Sequence, residues 1–75
     1  MKTILTKYLG PTNNRGSRIK AHDSDHNQVT LPYRFELDSE QMHRRAAEAL
    51  RDKMGWTGEL IAGGTRDGYV FVFKS

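Results

Sequence analysis

The stretch DSEQMHRRAAEALRDKMG, residues Asp38 to Gly55, decides the fold. Met42, Ala46, Ala49, Leu50 and Met54 recur at helical spacing and form one apolar stripe. Asp38 is a good N-cap, and Gln41 three residues later completes a capping box. Gly55 stands where a left-handed C-terminal cap is expected, and Trp56 follows it, placed to pack back on the last helical turn. Arg44, Glu48, Arg51 and Asp52 lie opposite the stripe, with Arg44 and Glu48 spaced for an i,i+4 ion pair. His43 borders the stripe and reads as a partly buried packing residue. The spacing predicts one helix, bounded at both ends.

Outward from the helix, the chain reads as strands. On the N-terminal side, TILTKYL (residues 3–9) mixes β-branched and aromatic residues, and GPTNNRG (10–16) is a loop of strong turn formers. A second strand runs from Ser17 to His22, with Ile19 and Ala21 inward and Arg18 and Lys20 outward. After the polar turn DSDHN (23–27), residues 28–35 alternate. Val29, Leu31, Tyr33 and Phe35 face one way, and Thr30, Pro32 and Arg34 the other. Pro32 cannot donate to a ladder, so this strand lies at an edge or stops pairing there. On the C-terminal side, Glu59 to Ala62 and Tyr69 to Lys74 are strands, and the Asp67-Gly68 pair between them signals a hairpin. The order β-β-β-α-β-β predicts a two-layer α+β domain over residues 1–75, a five-stranded, mostly antiparallel sheet packed against one helix.

Such a sheet has two apolar faces and one helix. In GYVFVF (residues 68–73), Tyr69, Phe71 and Phe73 point to one side and Val70 and Val72 to the other. The helix can blanket Val29, Leu31, Trp56 and one of these two sets. The other set, with Ile4 or Leu5, is then left looking outward. The three rings alone could bury on the order of 450 Å², at about 150 Å² each. At about 25 cal/mol per Å² this is a transfer term of roughly 10 kcal/mol, an upper estimate. Three kinds of cover are open to the leftover set. The sheet could coil around its own edge, a second copy could pack face to face as a homodimer, or a foreign partner could dock.

Composition narrows the function classes. The chain has no cysteine, so disulfides, thiolate metal sites and cysteine nucleophiles are excluded. No apolar run approaches the roughly 18 residues of a membrane span, and MKTILTKYLG is too short and polar for a signal peptide. A soluble cytoplasmic protein is the expectation. The formal net charge is +3, unevenly spread. Lys2, Lys7, Arg15, Arg18 and Lys20 fall in the first twenty residues with no acid among them, and Asp23 is the first carboxylate. A basic block of this kind attracts phosphate or an acidic protein surface.

Sites of chemistry are hard to assemble from these residues. Asp23, Asp25 and Asn27 begin like a calcium loop, but Gln28 stands where the turn glycine belongs and Arg34 where the bidentate glutamate belongs. His22, His26 and His43 lack the spacing of a structural zinc site. No serine stands on a strand-to-helix elbow, and the glycines at 63, 64 and 68 precede a strand without the lysine and helix of a phosphate loop. The expectation is no catalytic residue, no metal and no cofactor. Nucleic acid is a second candidate partner. Aromatics on a β-surface can stack on bases, while Lys7, Arg15, Arg18 and Lys20 track a phosphate backbone.

KYLGPTNNRGSRIKA, HRRAAEALRDKMGW and GYVFVF together resemble small uncharacterised proteins of bacteria, phages and mobile elements, over nearly the whole chain. In size and layout the chain is also similar to anti-CRISPR proteins. The resemblance implies a non-enzymatic binding protein that inhibits or modulates a host nucleic-acid-handling or defence complex through protein contacts. The partner would be a host protein or nucleoprotein complex. The resemblance assigns no residue-level role; on the charge and alternation read above, Lys7, Arg15, Arg18 and Lys20 are expected to supply the electrostatic contacts, and Tyr69, Phe71 and Phe73 the apolar area.

Overall fold

The computed structural model describes residues 3–14, 16–34, 38–66 and 68–74. Lys2, Arg15, Phe35 and Asp67, all given a role above, lie outside the described residues. In chain order the elements are β1 (Thr3–Leu9), β2 (Arg18–His22), β3 (Gln28–Pro32), α1 (Ser39–Lys53), β4 (Leu60–Gly64) and β5 (Gly68–Phe73). The strands form one antiparallel sheet in the order β3-β2-β1-β5-β4, and α1 crosses one face of it. This is the expected α+β architecture.

Both helix ends follow local chemistry. Asp38 is extended, its carboxylate accepts the Gln41 N–H at 2.8 Å, and the Gln41 side chain accepts the Asp38 N–H at 3.2 Å. At the other end Gly55 adopts φ +73°, Gly55 N–H donates to the Asp52 carbonyl and Trp56 N–H to that of Arg51. Those two bonds are the Schellman pattern.

The buried stripe is rotated from the expected one. Met42, His43, Ala46, Ala47 and Leu50 are buried, whereas Ala49 and Met54 are only partly so. Arg44 also departs from expectation. Its Nη1 donates to the Leu60 carbonyl at 2.9 Å and its guanidinium lies 5.6 Å from the centre of the Phe71 ring, so no pair with Glu48 forms. A carbonyl on the sheet edge and an aromatic face offer a half-buried guanidinium more than a solvated carboxylate does.

Pro32 marks the end of β3, and β3 is an edge strand. Tyr33 N–H donates to the Ser17 carbonyl, so the ladder alternation puts the Pro32 nitrogen on the side away from β2. β4 begins and ends later than its apolar residues suggest. Gly63 and Gly64, expected in the turn, pair with Val70 and Tyr69. Thr65 N–H donates to the Gly68 carbonyl and Gly68 N–H to the Thr65 hydroxyl, which makes Gly68 the first residue of β5.

The aromatic set of β5 faces the helix. Phe71 is fully buried in a cluster with Ile4, Ile19, Ala21, Met42, Ala46, Ala47, Leu50 and Leu60. Tyr69, Phe73 and Trp56 pack at its margins, Trp56 edge-on to Phe73 at 6.2 Å. Size explains the choice. Alanines at 46 and 47 bring the helix backbone low, and close packing then requires large side chains from the sheet.

Candidate binding face

With α1 on one side, the other side of the sheet carries the opposite alternation. Strand register sorts its side chains into cross-strand rows. Thr3, Val72 and Ile61 make one row, and Gln28, His22, Leu5, Val70 and Gly63 make the next. Thr30, Lys20 and Lys7 form the third, followed by Pro32, Arg18 and Leu9. The face is therefore divided into an aliphatic half over β1, β5 and β4 and a cationic half over β1 and β2. Ile61 is 48% exposed and Leu5 39%, with Val70 and Val72 half-buried beside them. Coiling of the sheet does not enclose them.

In the cationic half, Lys7 and Lys20 are direct register partners on the same face. Like charges in that relation destabilise a sheet, typically by about 0.2–1 kcal/mol. Arg18 lies one row on, and its Nε is buried with no hydrogen-bond partner among the described residues. None of the strand residues pointing to this face is acidic. The acid nearest in the chain to β4, Glu59, is loosely engaged with Lys74 at 3.9 Å.

The residues expected to bind therefore separate. Lys7, Arg18 and Lys20 come together on the uncovered face, and Arg15 lies outside the described residues. Tyr69, Phe71 and Phe73 lie on the helix side, Phe71 with no exposed surface, so the outward apolar area belongs to the aliphatic set instead. Leu5, Ile61, Val70 and Val72 thus take the place the aromatics were expected to hold. The signal was present in the two-residue alternation of TILTKYL, which puts Leu5, Lys7 and Leu9 on one side.

Beneath the helix, His43 Nδ1 lies 2.7 Å from the Thr6 hydroxyl, which is itself 3.3 Å from the Tyr69 carbonyl. With the Thr6 hydroxyl donating to Tyr69, it accepts from a proton on His43 Nδ1, and all three groups are satisfied. A threonine at hydrogen-bond distance from a histidine resembles a nucleophile and its base. Both side chains are buried, however, at 3% and 4% exposure, so the pair joins helix to sheet and is closed to substrate. Burial among packed side chains lowers the His43 pKa from its ordinary 6.5 by desolvation of the charged form. A folded pKa below the unfolded one gives stability that is complete above about 6.5 and fades as pH falls toward the lowered value. We expect thermal melts to show a midpoint that drops from pH 7.5 to 5.5 in the native chain and much less in His43→Gln. Parallel curves would show that another group governs this range.

The 23–27 turn is braced by Asp23. Its Oδ1 accepts the N–H groups of Asp25 and Asn27, and its Oδ2 accepts the Asn27 amide, each at 2.9 Å. A carboxylate used in this way is a turn element. Among the described residues no three His, Asp or Glu side chains gather as a metal site, and no helix is long and apolar enough to cross a membrane. Comparison with protein-family models, with curated proteins and with solved structures found no match.

Proposed function

We propose that this chain is a non-enzymatic binding protein of phage or mobile-element type. It acts in the cytoplasm, where it inhibits or modulates a host nucleic-acid-handling or defence complex by docking on a protein of that complex. One observation carries the reading: an aliphatic patch of Leu5, Ile61, Val70 and Val72 lies open on a sheet face that none of the described elements covers. Apolar area left open by a small domain marks a contact surface. A second copy can cover the patch only when offset so that the aliphatic halves meet and the cationic halves, which contain no carboxylate, stay apart. The resemblance of the chain to small phage and mobile-element proteins supplies the setting.

The test introduces charge into the patch. Purified host effector complexes, CRISPR effectors among them, are assayed for nucleic-acid cleavage with the native chain and with an Ile61→Arg, Val72→Arg double variant. The native chain should suppress or alter cleavage by at least one complex. The variant should lose at least about tenfold in potency, as expected when a charge is forced into an apolar contact. Unchanged cleavage across the panel, or equal potency of the variant, would overturn the reading.

A further inference from the structure

The cationic half of the same face has no role in apolar docking and is costly to the fold. Lys7 stands directly across from Lys20, and Arg18 sits one row away with its Nε buried and unpartnered among the described residues. A sheet selected only for stability would put a carboxylate or a threonine at one of those lysine positions. An anion bound between them would convert the repulsion into attraction. It would also pair with the terminal nitrogens of the Arg18 fork, whose planar donors match an oxyanion. From this juxtaposition we propose that Lys7, Lys20 and Arg18 form a binding site for the sugar-phosphate backbone of a nucleic acid.

Geometry favours a phosphate chain over a single small anion. Arg18 and Lys20 lie two residues apart on one strand, about 6.8 Å along it at 3.4 Å per residue, and Lys7 lies across from Lys20. The charges thus form a track comparable with successive phosphates on an extended backbone. Thr30 and His22 border the track on the same face. His22 is the one aromatic ring among the strand residues pointing to this face, the tyrosines and phenylalanines of β1 and β5 being on the helix side. A single imidazole gives successive bases no continuous stacking platform. The contact is accordingly with the backbone and independent of sequence.

The test uses the full chain and fluorescently labelled DNA and RNA oligonucleotides of mixed sequence, single-stranded and duplex, in anisotropy titrations across a salt series. Three phosphate contacts give a slope of log affinity against log salt of about −2.7 on duplex DNA and about −2.1 on single strands. Lys20→Gln should bring the slope about 0.7–0.9 closer to zero, and the Lys7→Gln, Arg18→Gln, Lys20→Gln triple variant should abolish binding. Folding of the variants is checked by thermal melts, where Lys7→Gln should melt no lower than the native chain because it removes the opposed pair. Three results would each overturn the site: no binding at the lowest salt, a slope unchanged in the triple variant, or equal competition by polyglutamate of matched charge. The Ile61→Arg, Val72→Arg variant keeps all three cations and should bind oligonucleotides at least as well as the native chain. Failure of this site is thus read separately from failure of the docking patch.

Discussion

Phe71→Ala should cost about 3–5 kcal/mol, the range for removing a buried ring from a packed core. Phe71 has no exposed surface, stands opposite Ile4 of β1 and Ala62 of β4, and lies under the Arg44 guanidinium. No neighbour is free to fill the space. The backbone of β5 is held on both sides by its ladders, and the helix already sits low on alanines. A domain of this length has roughly 4–11 kcal/mol of total stability, at 0.05–0.15 kcal/mol per residue. The variant should therefore be close to unfolding at 25 °C. Urea denaturation followed by circular dichroism and by Trp56 fluorescence measures it, with Phe71→Leu as the milder comparison. A loss below about 1 kcal/mol would mean that Phe71 does not hold the core together.

The second large effect comes from a single methyl group. A Cβ on Gly68 would overlap the Thr6 carbonyl oxygen, and would stand 3.0 Å from the Thr6 carbonyl carbon and 3.2 Å from His43 Cε1. The first two are backbone atoms of the central strand and cannot swing aside. Gly68→Ala must push β1 and β5 apart and, with them, the His43–Thr6–Tyr69 chain of hydrogen bonds. Overpacking alone costs about 1–3 kcal/mol, and each hydrogen bond lost adds about 1. At about 4–8 °C per kcal/mol, the melting midpoint should fall by at least about 10 °C. Gly64→Ala is the matched control, since an added Cβ there meets nothing within 4 Å. Similar melting of the two variants would show that the close approach at Gly68 is not a constraint.

The parts of this fold legible in the sequence are those whose causes are local. Asp38 with Gln41, and Gly55 with Trp56, satisfy the backbone groups of the same helix they flank, so residue type and spacing suffice to place them. Pro32 is equally local, because its missing N–H limits the pairing of its own strand. The extent of β4 is not local. Gly63 and Gly64 have turn chemistry, and only pairing with Val70 and Tyr69 keeps them in the sheet. The facing of β5 was also hidden, since valine and aromatic rings suit a core equally. The deciding factor is the small volume of Ala46 and Ala47 on a helix far away in sequence. The candidate site was half visible. Lys7, Arg18 and Lys20 are basic on inspection, but their meeting depends on the register of β1 with β2 across the intervening loop. Neither the Arg44 contact with the Leu60 carbonyl nor the burial of His43 against Thr6 has any short-range signature.

The central seam of the sheet has a practical consequence for anyone handling this protein. β1 and β5 are neighbours, and Thr3 lies across from Val72, with Ile61 next in the same row. A fluorophore or other group attached at Thr3 or Val72 would therefore stand beside the exposed Ile61. Such a group stands as a steric shield over the patch it is meant to report on. A label placed instead in the loop after Leu9 would lie at the opposite end of the strands, because Leu9 pairs with Arg18 at the end away from Thr3 and Val72.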